Sequence, residues 1–327
     1  MKNKLKKNKF TAEKNYSAVI LAAGKGTRLG HLSTETPKAL LPIGNLTIIQ
    51  HQLSLLRQLG IVDIIIVVGF GGEKIKQHLT TLSTPGLQLT FIRQEKQLGI
   101  AHALMQAEHL VSQPFFLLLG DVFFDFISIG QMITTHRHHN ATAVVATRNQ
   151  QVINGSIKKN YAVFVGNKSN IVKKVIEKPS GLVTALEGVG AYVFNPSVFN
   201  TLKSTPRTAQ RDEYEITTTI QLLLESNVKV IASRCVRYDN NISTLDDLLK
   251  TNLLQMHKKG LQNIISRSAH VHPTANMKKT VVGDNCVVGE GSVLTNVVVM
   301  NAARVEKKSV IKNSVISQKS VFLCQNV

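Results

Sequence analysis

Residues 18–43 read AVILAAGKGTRLGHLSTETPKALLPI, and this stretch decides how the rest of the chain is read. The apolar run 18–23 has strand length and ends, at Leu21, Ala22 and Ala23, on a turn built from Gly24, Lys25 and Gly26. Glycines without Cβ atoms let backbone N–H groups come close to a phosphate. Thr27 and Arg28 follow at once, and Pro37 and Lys38 lie ten residues beyond. Arg28 supplies a planar fork and Lys38 a point charge. A strand that runs into such a loop is a cradle for a polyphosphate. No Gly-Lys-Ser/Thr follows the glycines, which excludes a Walker A loop. Leu29 stands where a dinucleotide fingerprint needs its third Gly.

The chain of 327 residues, 43% apolar, has room for one large α/β domain and a smaller one. No apolar run reaches the about 18–20 residues that cross a bilayer, and the basic N-terminus lacks the apolar core of a signal peptide. Cys235, Cys286 and Cys324 are widely spaced and odd in number. They point to a reducing, cytoplasmic setting rather than to a disulfide frame or a zinc site. The net charge of +19 is concentrated in a tail at residues 1–15, expected to be disordered, and in the last seventy residues. Without aromatic interleaving or a recognition module, this charge reads as a solvated surface and anionic substrates, not as a nucleic-acid interface.

Periodicity predicts helices over residues 47–60, 73–82 and 101–111, and strands over 63–69, 87–92 and 115–119. Strand and helix alternate, so the sheet is mostly parallel, with ligands outside the carboxyl ends of its strands. From about residue 140 strands dominate, at 141–147, 161–165, 171–176 and 190–194, with helices at 196–202 and 214–226. A helix over 245–257 and a linker over 258–263 close a first domain, 16–258. From 264 to 327, small or β-branched residues recur about every six positions, with turn pairs such as Asp284-Asn285 between them, the mark of a β-solenoid.

LAAGKGTRL followed by PKALLPI closely resembles the signature of the sugar-1-phosphate nucleotidylyltransferases, the nucleoside-diphosphate-sugar pyrophosphorylases. The last segment is similar to the hexapeptide repeats of left-handed parallel β-helices that often follow that catalytic domain. The resemblance implies a Rossmann-like mixed α/β domain, a short left-handed β-helix of about eighteen residues per coil, and assembly into a homo-oligomer. The implied reaction is attack of a sugar-1-phosphate on the α-phosphate of a nucleoside triphosphate, with Mg²⁺ as cofactor. Products of this kind are activated sugars for surface polysaccharide or cell-wall synthesis.

By the same resemblance, Leu21, Ala22, Ala23, Gly24, Gly26, Thr27 and Arg28 hold the nucleotide, with Arg28 and Lys38 on the departing pyrophosphate. Gln94 and Gly99, in RQEKQLG, read the base. Asp121, after Gly120, binds the metal. Tyr161, Glu177, Lys178 and Gly190 hold the sugar phosphate. The second metal ligand stays open: in RYDNNIST the family's Asp falls on Asn241, and Asp239 lies two residues away, within reach of a small loop shift. Ala162, Asp212 and Thr218 also depart from the pattern. These departures motivate a competing reading, a catalytically weak relative that binds nucleotide-sugar and regulates a partner.

Overall fold

The computed structural model describes residues 15–82, 84–149, 152–153, 160–166, 169–179, 183–209 and 211–326. The expected tail, apart from Asn15, lies outside them. The chain separates into two compact units: Met1–Gly24, Gln52–Gly120 and Phe124–Asp239 form one, and Lys25–His51, Asp121–Phe123 and Asn240–Val327 the other.

The first unit is built on a mixed sheet. Gln88–Arg93, Asp63–Val68, Ser17–Ala22 and Phe115–Leu119 lie side by side in that order, all parallel. Ile64 to Val68, Val19, Ile20, Phe116, Leu117 and Leu118 are all buried. Such continuous apolar runs are what strands covered on both faces require. Leu186–Phe194 then pairs antiparallel with Phe115–Leu119 and with Ala143–Arg148, and Val230–Asn241 runs parallel to the latter. Tyr161–Val165 bridges Leu186–Phe194 and Val172–Glu177, antiparallel to both.

Several features differ from the sequence expectation, among them the following. The helix expected over 101–111 is Ile100–Met105 followed by a 3-10 turn, Glu108–Leu110. Both forms keep Ala101, Leu104, Ala107 and Val111 buried, so the apolar pattern does not tell them apart. Gly130–His139 is a helix whose His-rich, β-branched sequence hides it. Val230–Asn241 is a twelve-residue strand, so Asp239 and Asn241 stand on regular backbone rather than on a loop free to shift.

In the second unit, the short hairpin Pro42–Ile43 and Leu46–Thr47 turns through Gly44 at φ 64°. Asn252, fully buried in the helix Leu245–Lys258, accepts the Gly44 N–H at 2.7 Å and donates to Pro42 O at 2.9 Å. That helix opens with a capping box between Thr244 and Asp247. It packs against the C-terminal strands Asn276–Val282, Val293–Val299 and Val310–Ile316. These three run parallel beside Asn263–Ile265, and Val321–Leu323 closes the sheet antiparallel. A second parallel sheet holds His270–Val271, Val287–Val288 and Arg304–Val305.

The expected eighteen-residue period is seventeen here: Asn276 pairs with Val293 and Val293 with Val310. Turn conformation repeats with it, since Lys279, Asn296 and Asn313 all have positive φ, as do Asn285 and Ala302. Asn tolerates that region better than most residues, and Asn296 donates to Asn313 at 2.9 Å one rung on. Val282, Val288, Leu294, Val297, Val299, Val305 and Ile316 fill the interior. The three cysteines are free and buried.

Candidate active site

In the first unit, the Ser17–Ala22 strand delivers Leu21, Ala22 and Ala23, all buried, to the carboxyl edge of the sheet. The backbone there is clamped: Gly120 N donates to Leu21 O at 2.8 Å, and Gln97 Nε2 to Ala23 O at 2.7 Å. A Cβ on Gly120 would lie 2.8 Å from Leu21 O, so only Gly allows that approach.

Gln94 leaves the end of Gln88–Arg93, and its backbone N donates to Val68 O at 2.8 Å. Its side chain is buried and its Nε2 lies 2.9 Å from His102 Nδ1 and 3.4 Å from Gly99 O. Gly99 sits at φ 110° with the Tyr214 backbone against it, and an added Cβ would meet Tyr214 O at 2.6 Å. Tyr214 N donates to Leu98 O and Ala101 N to Tyr214 O, which pins the segment on both sides. Gln94 and Gly99, paired by sequence, are thus neighbours in space.

Tyr161 pairs across strands with both Glu177 and Gly188. Its ring lies over Gly188, where a Cβ would come within 2.3 Å of it, and stacks on Tyr192. Burial raises the pKa of both tyrosines. Glu177 accepts from Thr217 Oγ1 at 3.2 Å, with Arg211 3.9 Å away and itself 3.4 Å from Glu215. Burial, then Glu215, pushes the Glu177 carboxyl up to about 7 against the pull of Arg211 and Thr217. Lys178 next to it has φ 42°, uncommon for a residue with a Cβ and a place where strain is held. Gly190 admits Leu119, whose Cδ1 would lie 2.6 Å from an added Cβ.

Asp239 takes part in a buried charge cluster that the sequence did not disclose. The Arg148 guanidinium bonds to Glu187 and lies 3.1 Å from Asp239 Oδ1, by distance an ion pair though not in hydrogen-bond alignment. Asn160 Nδ2 donates to Glu187 at 2.7 Å and to Asp239 at 3.3 Å. Burial first, and Glu187 after it, pushes Asp239 up to about 6 although Arg148 pulls it down. The available signal was Glu187, a lone acid in the apolar run LEGVGAYVF.

In the second unit, Gly26 stands at φ 68° and Lys38 crosses over it, with Cγ 3.0 Å from where a Cβ would be. Thr27 and Arg28 are exposed on a 3-10 turn, Thr27–Leu29. Lys38 Nζ meets Asp121 Oδ2 at 3.0 Å, with the lysine side chain 10% exposed. Ile242 N donates to Asp121 O at 3.0 Å, which sets Asn241 on the segment beside Asp121. The Asn241 Oδ1 accepts from Ser243 Oγ at 3.0 Å. Among the described residues no three His, Cys, Asp or Glu gather as a metal cage. An acidic oxygen and an amide oxygen on neighbouring segments do suit a hard cation that takes its other ligands from water and phosphate.

Residues 17–256 match the family described as Nucleotidyl transferase. The chain belongs to that family. Residues 261–323 match a second family, the GMPPB C-terminal domain. The chain is 33% identical over 217 residues to the UTP–glucose-1-phosphate uridylyltransferase AglF of Haloferax volcanii, covering 66% of this chain and 87% of the relative. It is 31% identical over 202 residues to the mannose-1-phosphate guanylyltransferase catalytic subunit beta of Drosophila pseudoobscura pseudoobscura, covering 60% of this chain. The match spans about half of that relative, 53% of its length. In fold, the chain is similar to UDP-glucose pyrophosphorylase complexed with UDP-glucose, with a TM-score of 0.65 and 19% identity over 75% of this chain and 99% of the other. As a nucleotidyl transferase, the chain has relatives that make nucleotide-sugars.

Proposed function

We propose that this nucleotidyl transferase joins a nucleoside triphosphate to a sugar-1-phosphate, giving a nucleoside-diphosphate sugar and pyrophosphate. The observation that carries the reading is the Lys38–Asp121 pair at 3.0 Å. It sets the cation of the signature stretch against the carboxylate expected to hold a metal, the two charges that a transferring phosphoryl group needs. A sugar phosphate oxygen attacks the α-phosphorus, a P–O bond forms, and the bond to the β-phosphate oxygen breaks in line. Gly24, Gly26 and Thr27 hold the triphosphate, and Arg28 and Lys38 receive the charge that builds on pyrophosphate. Gln94 and Gly99 take the base. Tyr161, Glu177, Lys178 and Gly190 take the sugar phosphate.

Mg²⁺ would sit on Asp121 and Asn241, where it neutralises phosphate charge. Arg148 already engages Asp239, which favours Asn241 as the second ligand. The names of the relatives, a uridylyltransferase and a guanylyltransferase, support an activated sugar as product, one used for surface polysaccharide or cell-wall synthesis in the cytoplasm. No helix among the described residues is long and apolar enough to cross a membrane. The parallel seventeen-residue rungs support a β-helix, which in this reading is left-handed and assembles copies of the chain. Asn241, an amide in place of a carboxylate, favours the second reading, a weak relative that binds nucleotide-sugar without turning it over. Pyrophosphate release, measured for each common triphosphate against glucose-, N-acetylglucosamine- and mannose-1-phosphate with Mg²⁺, separates the two. Turnover with one pair supports the enzyme; tight nucleotide-sugar binding without turnover for any pair sinks it.

A further inference from the structure

The base reader has a polarity, and a residue outside the expected site sets it. Gly99 O can only accept a hydrogen bond, so the Gln94 atom facing it at 3.4 Å is the amide nitrogen. That same nitrogen lies 2.9 Å from His102 Nδ1. Nδ1 must therefore accept, and the imidazole is neutral with its proton on Nε2. Both amide hydrogens are engaged, and Gln94 Oε1 has no hydrogen-bond partner among the described residues.

His102 is itself held in place. Its ring stacks on Tyr214 with centroids 6.1 Å apart at 26°, and the Arg207 guanidinium lies 5.9 Å from the Tyr214 ring. Glu213 lies beside Gly99. Of the helices packed against Ile100–Met105, Val198–Lys203 carries Lys203, which pairs with Glu108, and Ile216–Glu225 carries Glu225. None of these charges is a cause of the lowered His102 pKa, which comes from burial. The neutral ring that the geometry requires is thus also the form its surroundings favour.

We infer that His102 is a positioning residue that locks the Gln94 amide with its oxygen toward the base, so that the site selects a base carrying a ring N–H. Uracil, thymine and guanine present that hydrogen beside a carbonyl; cytosine and adenine present a bare ring nitrogen there. A protonated His102 donates from Nδ1 instead and draws Oε1 to itself. The amide then turns its NH₂ to the base, against the ring N–H. This inference rests on the nucleotidyl-transfer reading and narrows its base.

The test is equilibrium binding of UTP, dTTP, GTP, CTP and ATP to the full chain, by calorimetry at pH 7.5 and 5.5. It is run on the wild type, His102→Leu and His102→Lys, with thermal unfolding as a check on folding. In the wild type at pH 7.5, at least one ring N–H base should bind about tenfold tighter than CTP and ATP, the worth of one well-made hydrogen bond. Acidification should shrink that ratio, as should His102→Lys, which can only donate, and His102→Leu should reduce it less. The wild-type pH comparison reads the same lock if a variant fails to fold. The inference is overturned if CTP or ATP binds best, or if the ratio is unmoved both by pH and by folded His102→Lys. Binding of no triphosphate by the wild type would overturn the nucleotidyl-transfer reading as well.

Discussion

Replacing Arg148 by Met tests the buried charge cluster behind Tyr161. The guanidinium serves two carboxylates at once, Glu187 with a side chain 7% exposed and Asp239 with one 2% exposed. Met keeps most of the aliphatic stem, so packing is largely preserved and the lost charge dominates. Breaking a buried pair by removing one partner costs about 3–5 kcal/mol, because the remaining charge has neither water nor a counterion. Here two acids would share the site, with Asn160 as the side-chain donor to both among the described residues.

Acid should relieve the penalty. Asp239 is already pushed up to about 6, so the folded state binds more protons than the unfolded one between about pH 3.9 and 6, and stability falls as pH rises through that window. Without Arg148 the folded pKa rises further and the fall extends to higher pH. Urea unfolding, followed by circular dichroism because the chain has no Trp, should show the loss of about 3–5 kcal/mol at pH 7.5. At pH 5 the loss should be smaller by at least about 1.4 kcal/mol, the equivalent of one pKa unit. The triple change Arg148→Met, Glu187→Gln, Asp239→Asn should recover most of it. A loss under about 1 kcal/mol at pH 7.5, of the size of an exposed pair, or one that does not change with pH, would refute the reasoning.

Three further outcomes are expected. Glu177 is pushed up to about 7, so its carboxylate, the form that accepts sugar hydroxyls, builds up only as pH rises through 7. The KM for sugar-1-phosphate should fall from pH 6 to 8, and Glu177→Gln should flatten that profile. The same raised pKa makes this group's stability contribution decline as pH rises from 4.5 to about 7. Gly26→Ala must hold φ 68° and displaces Lys38; it should raise the KM for triphosphate and lower kcat, and unchanged steady-state kinetics would count against the cradle. Asp121→Ala should lower the Mg²⁺-dependent rate at least about 10²-fold, the worth of a few kcal/mol of charge stabilisation, while Asp239→Asn should keep most of it. The reverse order in pyrophosphate release would move the metal to Asp239.

Much of the fold was legible because its central strands are buried on both faces, which leaves unbroken runs such as Asp63–Val68 and Phe115–Leu119. Val230–Asn241 was not legible. It carries Arg234, Arg237 and Asp239, and its polar end resembles a loop until Arg148 is known to wait beside it. The C-terminal rungs were legible as repeats, but their seventeen-residue period was not, since a valine pattern does not count the residues at each corner. Gln94 and Gly99 are legible as a spaced pair; His102, three residues past Gly99, falls inside the helix expected over 101–111, where a single polar residue carries no signal. Glu187, Arg148 and Asp239 come from three separate strands, and no local pattern connects them.

The most direct test of the central claim follows the oxygen atoms. The chain is incubated with Mg²⁺, a nucleoside triphosphate and a sugar-1-phosphate whose phosphate oxygens carry ¹⁸O, and both products are weighed by mass spectrometry. Attack of the sugar phosphate on the α-phosphorus leaves every labelled oxygen in the nucleotide-sugar and none in pyrophosphate. Label in the released pyrophosphate, or no nucleotide-sugar from any pair, would contradict it.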